Sequence, residues 1–175
     1  MRIIAGSLGG RVFKAPSGHR THPMSEKIRG AIFNALGDIS DLTVLDAFTG
    51  SGALCFEAVS RGVANATGID VDKGAITTAV KSAKDLGVEN IQFVRSSAAG
   101  WSDNNPESKF DIVLLDPPYD DVKPNLLSKM ADHCKTGGVL VISLPPNIAE
   151  HELEGFEKLI SKDYGDATLG FYRAV

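Results

Sequence analysis

Cysteine is scarce in this chain, with two among 175 residues, Cys55 and Cys134. They stand far apart and neither belongs to a Cys-x-x-Cys pair. That excludes a disulfide framework and a cysteine-based zinc site, and it points to a reducing, cytoplasmic setting. No metal is expected. Long hydrophobic runs are missing too. The opening residues Met1-Arg2-Ile3-Ile4-Ala5-Gly6 have no apolar stretch of signal-peptide length. The longest apolar runs, around Val113 and Val139, have the length of strands and cannot span a bilayer, so no membrane partner is expected. Internal repeats and low-complexity segments are absent. The composition is otherwise ordinary for a globular protein, with 43% hydrophobic and 23% charged residues, and the length favours one domain.

Charge is unevenly spread. Six of the 18 basic side chains fall within the first 30 residues (Arg2, Arg11, Lys14, Arg20, Lys27, Arg29), against one of the 22 acidic ones, Glu26. A basic front on an acidic body suits contact with a polyanion. A solvated N-terminal arm accounts for the same pattern. The chain therefore divides into a basic hairpin or arm, residues 1–22, and a core, residues 23–175.

The arm reads as a hairpin from Arg2 to Lys14 around the turn-rich Gly6-Ser7-Leu8-Gly9-Gly10. Ser25 is a candidate N-cap for a helix over Glu26–Leu36, stopped by Gly37. Strand and helix then alternate. Strands are predicted at Val44–Leu45, Asn65–Ile69, Ile91–Val94, Phe110–Leu115 and Val139–Leu144. Helices are predicted at Ala53–Ser60, at Lys73–Leu86 with Asp72 as cap and Gly87 as stop, and at Asn125–His133. A short helix over Ala149–Leu153 and two closing strands, Glu157–Ile160 and Leu169–Arg173, follow. Ser102–Lys109 reads as a surface loop, Trp101 as a packed anchor, and His133 and His151 as surface residues. This alternation predicts an α/β fold: a mostly parallel sheet with helices on both faces and an antiparallel strand at the C-terminal end. Ligands of such sheets bind beyond the carboxyl ends of the strands, near the point where strand order reverses.

Two motifs sit at such ends. Asp46-Ala47-Phe48-Thr49-Gly50-Ser51-Gly52 is a glycine-rich turn between a strand and a helix. Its glycines permit positive φ and close approach to a ligand, and the helix offers free N–H groups to an anion. A tight turn without a ligand would look the same. Asp70 ends the next strand, about 20 residues on, where an acid can hold ribose hydroxyls. The glycine turn by itself does not separate a nicotinamide from S-adenosylmethionine (SAM).

The second motif, Asp116-Pro117-Pro118-Tyr119, does separate them, because hydride transfer has no need of it. An exocyclic amine conjugated to a base is a poor nucleophile, and its lone pair must be aimed. Asp116 and the Pro117 carbonyl can grip its N–H bonds. Pro117 and Pro118 stiffen the turn and hold Asp116 extended, and Tyr119 can stack on the base.

With both motifs the chain resembles the SAM-dependent amino-methyltransferases. Further blocks make it similar to the bacterial RsmD-type family: Thr21-His22-Pro23-Met24-Ser25-Glu26-Lys27-Ile28-Arg29, Phe48-Thr49-Gly50-Ser51-Gly52-Ala53-Leu54 with Glu57-Ala58, and Tyr164-Gly165-Asp166 with Phe171-Tyr172. The resemblance spans nearly the whole chain. It implies a Rossmann-like fold and methylation of guanine N2 in small-subunit ribosomal RNA. It implies that Asp46, Phe48, Gly50 and Gly52 line the methionine end of SAM, that Ser51 belongs to the same cofactor site, that Asp70 takes the ribose, and that Val71 packs on the adenine. Thr21 and Pro23 would close over the cofactor. His22 stands where the family usually has arginine, and Ser97 where it usually has an acid to receive the adenine amine. Arg2, Arg11, Lys14, Arg20, Lys27 and Arg29 are the candidates for holding RNA phosphates. The expected partner is ribosomal RNA or the assembling small subunit, met by a monomer. Adenine-N6 methylation of RNA or DNA, protein-amide methylation, and a SAM-binding assembly factor without turnover remain open alternatives.

Overall fold

The computed structural model describes residues 1–16, 24–146 and 152–175. Helix α1 runs over Glu26–Leu36 and begins where Ser25 accepts a hydrogen bond from the Ile28 amide. It ends at Gly37 with φ +73°. Strand β1 (Thr43–Asp46), helix α2 (Ala53–Ser60), strand β2 (Asn65–Asp70), helix α3 (Lys73–Leu86) and strand β3 (Ile91–Arg95) follow. Asp72 caps α3 by accepting from the Ala75 amide at 2.8 Å.

The chain continues with α4 (Ala98–Asn104), β4 (Phe110–Leu115), α5 (Pro124–Ala131), β5 (Cys134–Leu144), β6 (Phe156–Asp163) and β7 (Thr168–Ala174). The seven strands form one sheet in the order β3-β2-β1-β4-β5-β7-β6. The first five are parallel, and β7 runs antiparallel between β5 and β6. Strand order reverses between β1 and β4.

Each face of the sheet has its own core. Leu45, Val113, Leu115, Leu140 and Ile142 pack with Trp101 of α4 and Leu127 and Met130 of α5. Val44, Ile112, Leu114 and Val141 pack with Ile28, Ile32 and Phe33 of α1 and Leu54, Cys55 and Ala58 of α2. The period-2 alternation of β1, of β4 from Ile112 onward and of β5 from Val139 onward thus assigns their side chains to one layer or the other. No helix of the described residues is long and apolar enough to cross a membrane.

Several expectations change. Part of the Ser102–Lys109 segment is helix α4, with Trp101 and Ser102 buried. Ser97, Asn104 and Asn105 tie its backbone locally, which masks it as a polar loop in sequence. His133 is 2% exposed rather than superficial. Its ring lies 4.9 Å from that of Trp101, with Nδ1 bonded to the Ser108 carbonyl and Nε2 to the Ser102 hydroxyl. Helix α5 starts one residue earlier than predicted and stops at Ala131. Strand β5 extends back to Cys134. The helix predicted over residues 149–153 falls mostly outside the described residues, and Glu152 and Leu153 are not helical.

The N-terminal segment closes on itself through an Arg2–Val12 bridge, with Ile3 donating to the Arg11 carbonyl and Phe13 to that of Met1. It is fastened along α2. Glu57, wholly buried, accepts from the amides of Ile4 (2.8 Å) and Ala5 (3.1 Å) and from Arg61 Nε (2.9 Å). Ser60 accepts from the Leu8 amide. Gly6 must be glycine: φ is +82°, and a Cβ would sit 1.8 Å from the Ser60 carbonyl oxygen.

Candidate active site at the strand-order reversal

Asp46 is the last residue of β1, beside Gly68 of β2 and Leu114 of β4 in register. Asp70 lies two residues beyond Gly68, and Asp116 two beyond Leu114. Even spacing keeps all three carboxylates on the face of the sheet that Val44, Ala66 and Leu114 present to α2. Asp116 and Asp70 both act electrostatically on Asp46. The three acids therefore share one rim, on one side of the sheet, at the reversal point.

Among the described residues, no cation is among the groups acting on Asp46 or Asp116. Burial pushes the Asp46 carboxyl up to about 7, with Asp116 and Asp70 adding to it. Hydrogen bonds from Thr49 and the Phe48 amide pull the other way. Burial raises Asp116 to about 6, opposed by a hydrogen bond with Ser143. Cys55, buried beneath Asp46 with Sγ 3.8 Å from its Oδ2, is held as a thiol by burial and by that acid.

The glycine turn between β1 and α2 folds over this rim. Asp70 Oδ2 accepts from the Gly50 amide and Oδ1 from the Asp72 amide, both at 2.8 Å. Each oxygen keeps a lone pair. Gly50 and Gly52 have φ +50° and +80°. Gly52 has a second reason to be glycine, since a Cβ would meet the Phe93 ring at 2.8 Å. As N-cap of α2 it supplies no side-chain acceptor, which leaves the positive end of that helix open to an anion. Ser51 is buried in the turn, Phe48 is half-buried, and Val71, 62% exposed, stands at the outer edge beyond Asp70.

The turn after β4 carries Pro117, buried, then Pro118 and Tyr119, exposed. The Tyr119 hydroxyl reaches Ser143 Oγ at 3.1 Å. Sequence reasoning does not find Ser143. Its one signal is a hydroxyl within the otherwise apolar run Val139–Leu144 that ends β5.

Ser97 does not extend toward the rim as an acceptor. Its Oγ caps α4 by accepting from the Gly100 amide at 3.0 Å. Thr21, Pro23, His22 and Arg20 lie outside the described residues. Of the basic side chains, Lys14 and Lys27 are exposed, Arg2 pairs with Glu26 at 2.8 Å, and Arg11 donates to the Leu86 carbonyl at 3.0 Å. Arg29 corrects the expectation of a phosphate contact. It is 1% exposed, with Nε 3.6 Å from Glu57 and Nη2 donating to the Arg2 carbonyl. Its periodic place on the apolar face of α1 turns it inward, where it answers the charge of Glu57.

A positive helix end beside an acidic rim fits a ligand carrying both a carboxylate and positive charge, as the methionine part of SAM does. The fold is that of the SAM-dependent methyltransferases. A structure described as a putative methyltransferase, YhhF, from Escherichia coli superposes with a TM-score of 0.88 at 27% identity, covering 99% of this chain and 97% of that one. The family model described as conserved hypothetical protein 95 matches residues 1–173, and the chain belongs to that family, the RsmD family. The chain is 38% identical over 136 residues to the putative rRNA methyltransferase YlbH of Bacillus subtilis, covering 75% of this chain and 74% of that protein. It is 35% identical over 120 residues to the ribosomal RNA small subunit methyltransferase D of Escherichia coli, covering 68% of this chain and 60% of the relative.

Proposed function

We propose that this protein is a SAM-dependent methyltransferase that methylates the exocyclic N2 amine of a guanine in small-subunit ribosomal RNA. The observation that carries the reading is the shared rim: Asp116 and its Pro-Pro-Tyr turn face Asp46, Asp70 and the open end of α2 across the reversal point. Relatives named as small-subunit rRNA methyltransferases support the substrate class.

In this reading Asp46, Phe48, Gly50, Ser51 and Gly52 hold the methionine end of SAM, Asp70 the ribose, and Val71 covers the adenine. Bound there, SAM would supply an electrophilic methyl group, its S–CH₃ bond breaking to leave a neutral thioether. The protein aims the nucleophile. Asp116 and the Pro117 carbonyl accept the two N–H bonds of the amine and favour a lone pair directed out of the ring. Tyr119 stacks on the extruded base, worth about 1–3 kcal/mol by comparison with single-strand binders. Asp116 also takes the proton that the amine sheds as its N–CH₃ bond forms. With its carboxyl titrating near 6, it is largely ionised at neutral pH and able to accept. Lys14 and Lys27 contribute phosphate contacts, which position RNA without reading its sequence. The protein acts as a monomer in the cytoplasm, on ribosomal RNA or an assembling small subunit.

The test is digestion of ribosomal RNA to nucleosides from a deletion strain, with mass spectrometry. The expected result is loss of N2-methylguanosine, restored by wild type and not by Asp116→Ala. Asp116→Ala should lower turnover at least about 10²-fold while SAM still binds. Loss of N6-methyladenosine instead would replace guanine by adenine in the assignment.

A further inference from the structure

Ser143 sits one residue beyond the Leu115–Ile142 pair of the parallel β4–β5 ladder, which sets it directly beside Asp116. It is 2% exposed and shares the sheet face of Val141, the face of the acidic rim. Two partners converge on its single hydroxyl. One is the Tyr119 phenol at 3.1 Å, and the other is the Asp116 carboxylate, its neighbour across the β4–β5 register, on which the Ser143 hydroxyl acts. The proton count fixes their direction. An ionised carboxylate only accepts, so the Ser143 hydrogen goes to Asp116. The Ser143 oxygen is then left to accept the Tyr119 hydrogen. The order is Tyr119 to Ser143 to Asp116.

Building on the proposed function, we infer that Ser143 is the positioning residue of the reaction: its hydroxyl ties Asp116 and Tyr119 into one unit. The unit does two things. It occupies one oxygen of Asp116 and leaves the other free for the amine, so the acid has one productive orientation. It also anchors Tyr119, which is 41% exposed and lies in a turn, by its hydroxyl. The base plane and the amine acceptor are thereby set by the same buried hydroxyl. Among the described residues, the charged groups acting around the unit are Asp46 from β1, on the Asp116 side, and Asp166 from the β6–β7 turn, acting on Tyr119. Both are acids, so Ser143 is the donor that favours ionised Asp116.

Two measurements test this. The first needs no substrate: titration of the ¹³C-labelled Asp116 carboxyl by NMR in wild type, Ser143→Ala, Ser143→Thr and Tyr119→Phe. Removing the donor should raise the Asp116 midpoint by about one pH unit in Ser143→Ala. Ser143→Thr should leave it near wild type, and Tyr119→Phe should move it less, in the same direction. The second is methyl transfer from SAM to small ribosomal subunits from cells lacking this protein. Ser143→Ala should lose roughly tenfold in kcat, with the acidic limb of its pH profile moved up by the same interval and SAM affinity unchanged. Ser143→Thr should recover most of the rate. An unmoved Asp116 midpoint in Ser143→Ala overturns the inference, as does a rate loss without a shifted pH profile. If the midpoint moves while wild type methylates no RNA, the tie stands and the proposed reaction falls. Tyr119→Phe alters an exposed side chain and keeps the test valid should Ser143→Ala fail to fold.

Discussion

The acidic rim and the basic N-terminal segment each gather charge of one sign, and the fold treats them in opposite ways. At the rim, Asp46, Asp70 and Asp116 converge with no cation acting on Asp46 or Asp116 among the described residues, and burial raises the carboxyls of those two. In the N-terminal segment the described arginines are engaged: Arg2 with Glu26, Arg11 with a helix-end carbonyl, Arg29 with the buried Glu57. Uncompensated charge held in place marks a site built for something that arrives from outside. Compensated charge in the N-terminal segment is architecture. The distinction is made by partners, which sequence does not display.

The sharpest way to break the contrast is at Glu57. If its charge is architectural, Glu57→Ala leaves Arg29 buried without its counter-ion and frees the amides of Ile4 and Ala5. Breaking a buried pair from one side costs about 3–5 kcal/mol. Urea unfolding should register that loss. A double change of Glu57 and Arg29 to apolar residues should recover part of it. A loss below about 1 kcal/mol, far short of that range, would mean that the pair is not what fastens the hairpin to α2.

At the rim the sign is reversed, because there the charge is a liability until a ligand comes. A free Asp titrates near 4, whereas Asp46 in the fold is raised to about 7. Below about pH 4 both states carry the proton and the group costs nothing. Between about pH 4 and 7 the unfolded chain releases a proton that the folded chain keeps, so stability falls as pH rises and levels off above about 7. Asp46→Asn removes that slope. Its stability relative to wild type should therefore grow by roughly 2–4 kcal/mol between about pH 4 and 8. Parallel curves for the two proteins would mean that Asp46 is ionised in the fold at neutral pH. The same group should release a proton when a cationic cofactor binds, seen as a dependence of SAM binding heat on the ionisation enthalpy of the buffer.

Asp70 is the intermediate case, since both its oxygens already serve the fold. Asp70→Ala should weaken SAM by about 1–3 kcal/mol, through the missing hydrogen bonds to the ribose and the loosened Gly50 turn. Calorimetry finding equal affinity would remove Asp70 from the cofactor site.

Where the chain's own neighbours decide a structure, sequence displays it. Helices α1, α2 and α3 are legible to the residue because Ser25 and Asp72 cap two of them, Gly37 and Gly87 stop two, and apolar spacing fills all three. Strands β1 to β4 are legible because apolar runs mark them, three of them leading to Asp46, Asp70 and Asp116. Even spacing from Val44, Ala66 and Leu114 is all that is needed to bring those acids to one face. Helix α4 is hidden because Ser97 and its asparagines satisfy the backbone with polar side chains, which composition reads as loop. Ser143 and Arg29 are hidden for a deeper reason. A hydroxyl near a strand end and an arginine on a helix acquire meaning from Asp116 and from Glu57, partners 27 and 28 positions away in the chain.

Lys14 and Lys27 bear the smallest expected effect and the one that decides whether any of the basic segment serves RNA. Both are exposed, unlike Arg29, so reversing them should leave stability within about 0.5 kcal/mol of wild type. Each phosphate that is no longer neutralised should lower the slope of log affinity against log salt by roughly 0.7–0.9, with a uniform weakening across RNA sequences. Lys14→Glu with Lys27→Glu, measured by filter binding to small-subunit RNA at several salt concentrations, should flatten that slope by about one to two and leave SAM affinity unchanged. An unchanged slope would assign the two lysines to solvent. The RNA surface would then have to be sought on another flank of the rim, around Tyr119 and the turn that Ser143 holds.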